Sequence, residues 1–147
     1  MKLLALDPGG TTGVAWFTLT DERPLELLEA GQWHGGLEGF IAAWSNIQAP
    51  DLVVAESFVL DGRTQKPDVT PLRIEGALRV LAPCQVVLQR NVYKSHAPDE
   101  LLKRAGLWQK GKPHANDAIR HAIAWAKTKG HRPTLEWLWP MPERLVG

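Results

Sequence analysis

Three acidic residues stand at positions where solubility alone does not call for a charge. Asp7 ends the apolar run KLLALD, Glu56 interrupts the apolar run DLVVAESFVL, and Asp117 falls in the first turn of a predicted C-terminal helix. An ionised carboxylate within an apolar strand is costly unless it is paired. A divalent cation is a partner that several acids can share, and hard oxygen ligands favour Mg²⁺ or Mn²⁺. The three acids are therefore the candidate metal ligands.

Two histidines flank Asp117 at helical spacing. His114 precedes it by three positions and His121 follows it by four, so the three side chains share one side of the helix. This row borders the apolar stripe and is expected to face both the sheet and solvent. His114 is a candidate fourth ligand, or a proton carrier to the water or leaving group.

Such a set of ligands suits two metal ions. Two ions bridged by carboxylates, with Asp7 as the expected bridge, would activate a water and stabilise the leaving oxygen of a phosphodiester. Simpler roles exist for each residue alone. An arginine could pair with Glu56, Asp-Pro-Gly is an ordinary turn sequence, and Asp117 could be a favourable charge near a helix start. His114 or Asn116 could cap that helix.

The patterning that positions these residues is that of one α/β domain. The 147 residues, 44% of them hydrophobic, suffice for a single core. Apolar periodicity predicts strands at KLLALD, GVAWFTL, LELLEAGQW, DLVVAESFVL and CQVVLQ, and helices at LEGFIAAWSNI, 71–81, PDELLKRAG and 114–129. This order predicts a five-stranded mixed sheet flanked by helices. The domain is expected to span 1–130. The segment 131–147, with three prolines and two tryptophans, is expected to be non-helical and to pack on the domain or a partner.

Charge is divided unevenly along the chain. Residues 1–60 hold two basic and eight acidic residues, whereas 61–147 hold fifteen basic and eight acidic ones. The C-terminal part could therefore bind phosphates, although an ordinary solvated surface is the alternative. The single cysteine excludes an intramolecular disulfide and a cysteine-based zinc site. With neither a signal peptide nor a long apolar run, a cytoplasmic location is expected.

Three segments together resemble a known family. LALDPGGTTGVAW, VVAESF and HANDAIRHAIAWA are similar to the three acidic motifs of RuvC-type Holliday junction resolvases, within the RNase H-like and retroviral integrase superfamily. The likeness is closest to the RuvC-like resolvases of bacteriophages and covers residues 1 to about 127. The resemblance implies an RNase H-like fold and a homodimer that cuts four-way junctions in the cytoplasm of a bacterium or phage-infected host.

The resemblance also implies roles for individual residues. Asp7, Glu56 and Asp117 would hold two Mg²⁺ ions per active site, and His114 matches a family position for Asp or His. Lys94 is similar to a lysine near the scissile phosphate. The family's dimer packs through the helix that follows the Glu strand, here 71–81.

Other positions concern the contact with DNA. Phe58 resembles an aromatic that contacts unpaired bases, with an ordinary place in the core as the alternative. The family's glycine-rich, lysine-bearing segment is not recognisable, and Lys110 or Lys112 could replace its second lysine.

Three other functions compete with this interpretation. A nuclease of the same fold could act on an RNA–DNA hybrid, a flap or RNA, and a non-catalytic DNA-binding member of the fold is also conceivable. The first motif further resembles the phosphate loop of actin-like and sugar kinases, but those proteins need two such domains, for which 147 residues are too few.

Overall fold

Five strands form one mixed sheet. The computed structural model describes residues 1–60, 62 and 66–141. The strands are β1 (Lys2–Asp7), β2 (Thr11–Thr18), β3 (Glu26–His34), β4 (Leu52–Ser57) and β5 (Gln85–Arg90). Their order across the sheet is β3-β2-β1-β4-β5, with β2 antiparallel to both β1 and β3, and β4 parallel to both β1 and β5. The predicted five-stranded mixed sheet is confirmed.

Helices flank the sheet as expected, with two additions. The helices are α1 (Gly36–Trp44), α2 (Thr70–Leu81), α3 (Asp99–Arg104), α4 (Pro113–Lys129) and α5 (Arg132–Leu138), and a 3₁₀ helix spans Asn91–His96. The sequence analysis did not predict the 3₁₀ helix. Within the described residues, no helix is long and apolar enough to cross a membrane.

The prediction that the C-terminal segment is non-helical is wrong for α5. Pro133 stands in the first turn, where its missing N–H group costs no intrahelical hydrogen bond. Leu138, at the end of α5, is 1% exposed and belongs to the main hydrophobic core. Residues 142–147 of the predicted tail lie outside the described part of the chain.

The sheet has a hydrophobic core on each face. Leu3 and Ala5 of β1 point to the face that α4 covers, whereas Leu4 and Leu6 point to the face covered by α1 and α2. In β4, residues 52–55 are all buried, as expected for a central strand covered on both sides. These two layers fix the ends of β1 and β4 relative to α4.

Candidate active site

The carboxyl ends of β1 and β4 bring two acids to one edge of the sheet. These strands are parallel neighbours, and Leu6 pairs with Ala55, so that Asp7 and Glu56 follow side by side. Glu56 lies within the fourth strand, as the sequence predicted, but β4 ends at Ser57 and is shorter than the predicted run DLVVAESFVL. This end of the sheet is open, which leaves Glu56 half-buried.

Helix α4 supplies the other two predicted ligands. The Nδ1 atom of His114 lies 3.2 Å from Oδ2 of Asp7. Asp117 is the fifth residue of α4 and belongs to its second turn, not its first, because the helix begins at Pro113. Asp117 is linked to Glu56 through Lys94. All four predicted ligands therefore border one cluster.

Lys94 is the positive centre of the cluster. Its Nζ atom lies 3.2 Å from Oδ2 of Asp117 and 3.4 Å from Oε1 of Glu56. Burial favours the neutral amine, but the charges of Glu56 and Asp117 outweigh this effect and raise the pKa of Lys94. The lysine therefore stays charged, and the 3₁₀ helix that follows β5 is the element that positions it.

The two strand carboxylates differ in protonation. Burial, a hydrogen bond with Glu56 and the charges of Glu56 and Asp117 raise the pKa of Asp7 to about 9. For Glu56, burial acts in the same upward direction, but the nearby His121 imidazole, a hydrogen bond with Asp7 and the charge of Lys94 outweigh it and lower the pKa to about 2. At neutral pH Asp7 thus holds a proton that a bound cation would displace.

Arg120 is a site residue that the sequence analysis missed. Its guanidinium group donates to Oδ1 of Asp117 at 2.8 Å and to the Ala97 carbonyl oxygen at 2.9 Å, and it also pairs with Asp99. It ties Asp117 to the start of α3 and to the residue after the 3₁₀ helix. Its spacing of three residues from Asp117 was the available signal.

His121 differs from its expected position. The sequence analysis placed it beside solvent, but its side chain is fully buried. Its Nε2 atom lies 3.9 Å from Oε1 of Glu56, and its Nδ1 atom lies 3.1 Å from Nε2 of Gln89. His121 therefore lies beneath the site and contacts Glu56 and Gln89. The sequence patterns did not indicate Gln89 as part of the site.

Two of the simpler single-residue roles, an arginine partner for Glu56 and a side-chain cap on α4, are not found among the described residues. Within residues 1–60, 62 and 66–141, Glu56 pairs with Lys94 and with no arginine. The helix cap position is occupied by Lys112, without a side-chain capping bond. Asn116 instead uses its amide to accept from the backbone N–H and donate to the backbone carbonyl of Gln109, which fastens the loop before α4.

The carboxylates and the imidazole of the cluster are chemically suited to bind a divalent cation. Their positions in the structure, however, do not yet form a site for one. Among the described residues, no three His, Cys, Asp or Glu side chains are placed so that they could hold a metal ion as they stand. Glu56 and Asp117 turn oxygens toward Lys94, which balances their charge. Three hard oxygen donors and an imidazole with one competing ammonium fit Mg²⁺ or Mn²⁺ once the lysine side chain moves aside.

The other residues predicted to contact DNA lie in the segment before α4 and directly after β4. Lys110 and Lys112 are exposed in the segment before α4 and form no ion pair with any described residue. Phe58 is half-buried and belongs to neither core, which disfavours the core alternative. It lines a cavity of about 540 Å³ together with Glu56 and Arg90.

Comparison with solved structures identifies the architecture. Thermus thermophilus RuvC superposes with a TM-score of 0.64 at 18% identity, covering 89% of this chain and 98% of that one. The chain has the RuvC fold. T. thermophilus RuvC in complex with a Holliday junction substrate gives a TM-score of 0.65 at 15% identity, covering 90% and 98%. Fowlpox virus resolvase with its substrate Holliday junction DNA gives 0.63 at 10% identity, covering 88% and 99%.

The RuvC fold confirms the resemblance at the level of architecture, but sequence comparison adds nothing to it. No family model matches the chain, and no curated protein matches it either. The three motifs quoted from the sequence fall on β1, β4 and α4 of the RuvC fold. Their residues meet at the open end of the sheet described above.

Proposed function

We propose that this chain is a metal-dependent endonuclease that cuts Holliday junctions or other branched DNA by two-metal-ion phosphodiester hydrolysis. The observation that carries the proposal is the meeting of Asp7, Glu56, Asp117 and His114 at one edge of a RuvC fold. Clustered acids with shifted pKa values, such as the buried Asp7 and the half-buried Glu56, are typical of functional sites.

Asp7, Glu56, Asp117 and His114 are the residues that would hold Mg²⁺ or Mn²⁺. Bound ions would polarise the scissile phosphate and lower the pKa of an attacking water. Asp7 would have to lose its proton, because a carboxylate must be ionised to serve as a ligand. His114, with 46% of its side chain exposed, can reach the solvent side of the site and either coordinate or carry a proton.

Lys94 has a second role in this proposal. Released from Glu56 and Asp117, its ammonium group can contact the scissile phosphate and stabilise the charge that develops on it. Its position at the open end of the sheet, 24% exposed, supports this role. The same side chain thus balances the carboxylates in the free protein and the phosphate in the complex.

The preference for branched DNA is supported by the surroundings of the site. Lys110 and Lys112 are exposed in the segment that leads into α4, where they can contact phosphates. The cavity beside Glu56 offers Phe58 for stacking on an unpaired base and Arg90 for a polar contact. Bases beside a branch point can unpair more easily than bases inside an intact duplex.

Symmetric cleavage of a junction requires two sites, and therefore a homodimer. Helix α2 offers an apolar surface for it, since Val80 is 84% exposed and Leu81 is 38% exposed. Paired nicking by a protein that sediments as a monomer at micromolar concentration would contradict the dimer.

A panel of substrates tests the proposed function. Purified protein with Mg²⁺ or Mn²⁺ is incubated with labelled four-way junction, flap, linear duplex, RNA–DNA hybrid and single-stranded RNA of matched sequence. We expect preferred cleavage of the four-way junction, with paired nicks. Preferred cleavage of the hybrid or of RNA would replace this proposal with the alternative of another RNase H-like nuclease, and binding without any cleavage would favour a non-catalytic DNA-binding protein.

A further inference from the structure

Two buried side chains, His121 and Gln89, lie beneath the site, and one ring nitrogen of His121 lacks a hydrogen-bond partner among the described residues. His121 is 0% exposed and Gln89 is 6% exposed. The Nε2 atom of His121 has no hydrogen-bond partner among the described residues. Buried polar groups are nearly always paired, so an orphaned imidazole nitrogen that faces a candidate site is informative.

The partners of Gln89 settle which nitrogen of His121 carries the proton. Nε2 of Gln89 lies 2.9 Å from the backbone carbonyl oxygen of His121 and 3.1 Å from its Nδ1. A carbonyl oxygen only accepts, so this side of the Gln89 amide must be the NH₂ group. Its second hydrogen then points to Nδ1, which must be an acceptor. With Nδ1 accepting, the ring proton of His121 lies on Nε2.

This N–H group is directed at Glu56. The distance from Nε2 of His121 to Oε1 of Glu56 is 3.9 Å, which is roughly 1 Å longer than a hydrogen bond. Glu56 and Gln89 are register partners on the parallel strands β4 and β5, so the sheet fixes their spacing. At present the same oxygen, Oε1, is 3.4 Å from Nζ of Lys94. Release of Lys94 leaves the His121 imidazole facing that oxygen from beneath.

We propose that Gln89 and His121 are positioning residues that hold Glu56 for cation binding. Gln89 fixes the tautomer of His121, whose Nε2–H group then holds one oxygen of Glu56 from beneath and leaves the other toward the open edge. The inference rests on the proposed function, because it assigns the pair to the cation site. Partners of this kind typically change metal affinity 10- to 100-fold when they are removed.

The first test is a direct observation of the tautomer. Long-range ¹H–¹⁵N correlation spectra of the metal-free protein report the protonation of each imidazole nitrogen. We expect the His121 ring to have Nε2 protonated and Nδ1 unprotonated, and this pattern to be lost in Gln89→Met, whose side chain has a similar length but no donor. A wild-type ring protonated on Nδ1, or on both nitrogens, overturns the proposal.

The second test measures Mn²⁺ binding by calorimetry. His121→Phe keeps a buried ring without a donor and is expected to bind Mn²⁺ about 10- to 100-fold more weakly. His121→Gln can place an N–H group near the position of Nε2 and is expected to recover most of the affinity. Ile119→Val, a core change on the same helix, serves as the control for lost stability and is expected to leave Mn²⁺ affinity unchanged.

The outcomes separate this inference from the proposed function. Wild-type affinity in both His121 variants overturns the positioning role while the nuclease proposal stands. Equal losses in His121→Phe, His121→Gln and Ile119→Val also overturn it, since they would mean that any damage to α4 weakens binding. A wild-type protein that binds no Mn²⁺ contradicts the proposed function and, with it, the role of the pair.

Discussion

The backbones of Gly13 and His114 are in direct contact. A β-carbon at position 13 would lie 1.8 Å from the His114 carbonyl oxygen and 2.2 Å from its carbonyl carbon. Gly13 is also the strand partner of Asp7. Because Gly13 has no side chain, the first turn of α4 can pack against β2 beside Asp7. This packing places the His114 imidazole 3.2 Å from the Asp7 carboxyl group.

Gly13→Ala should therefore displace the start of α4. We expect a loss of about 1–3 kcal/mol in the free energy of unfolding, as for other overpacked sites. The matched control is Gly31→Ala in the adjacent strand β3, where an added β-carbon has no neighbour within 4 Å. Thermal unfolding measures both variants. Equal stability of the two would show that the contact is not a constraint on α4.

The raised pKa of Asp7 makes the stability of the metal-free protein depend on pH. Its pKa rises from 3.8 to about 9 on folding, so the folded state binds more protons across that range and becomes less stable as pH increases. Glu56 acts oppositely and only at acid pH, since its pKa falls from 4.5 to about 2. The window above pH 4.5 therefore reports on Asp7.

Asp7→Asn should remove this pH dependence. In metal-free buffer we expect the Asn variant to melt about 3 °C or more above the wild type at pH 8, which corresponds to roughly 1 kcal/mol for a domain of this size. The difference should narrow as pH falls toward 4. Melting curves that differ by the same amount at pH 5 and pH 8 would contradict the protonation of Asp7 in the free protein.

Lys94 should compete with the bound cation. Because its ammonium group pairs with Glu56 and Asp117, Lys94→Met is expected to bind Mn²⁺ roughly 3- to 10-fold more tightly, a gain of up to about 1.4 kcal/mol. Cleavage should nevertheless fall about 10²-fold, since the phosphate loses a cationic contact. Calorimetry and single-turnover cleavage measure the two effects.

The control is Lys129→Met at the other end of α4, for which both quantities should remain at wild-type values. Weaker Mn²⁺ binding by Lys94→Met would mean that the lysine supports the ligands and does not compete with the ion.

Lys110 and Lys112 should contribute to DNA affinity through phosphates. Each lysine that contacts a phosphate adds about one to the slope of log affinity against log salt concentration. The double variant Lys110→Ala and Lys112→Ala is therefore expected to weaken junction binding and to reduce that slope by about two. Fluorescence anisotropy across a salt series measures it, and an unchanged slope would remove these residues from the interface.

Much of the fold follows from local patterns. The continuous apolar runs of β1 and β4 and the helical stripe of α4 each reflect a pattern that the residues themselves set. The two strand acids were recognisable because a charge within or at the end of an apolar strand needs a partner, and Asp117 because it shares one side of a helix with His114 and His121. Asp7, Glu56 and Asp117 were predicted in this way.

The parts that sequence did not predict depend on distant contacts. Gln89 is an ordinary polar residue in β5 until α4 brings His121 over it. In the sequence, Arg120 is one basic residue among many. The fold brings Asp99 and Asp117 to its guanidinium group. Helix α5 is stabilised because Leu138 packs in the hydrophobic core. The proline content of this segment gives no reason to expect a helix.

The most direct measurement of the central claim is cleavage of a four-way junction by Asp7→Asn beside the wild type, with Mg²⁺ or Mn²⁺ and with a chelator. We expect paired nicks that require the metal and that fall at least about 10³-fold in Asp7→Asn, while junction binding by gel shift remains. Cleavage that persists in the chelator, or at the wild-type rate in Asp7→Asn, would contradict a metal-dependent nuclease built on these carboxylates.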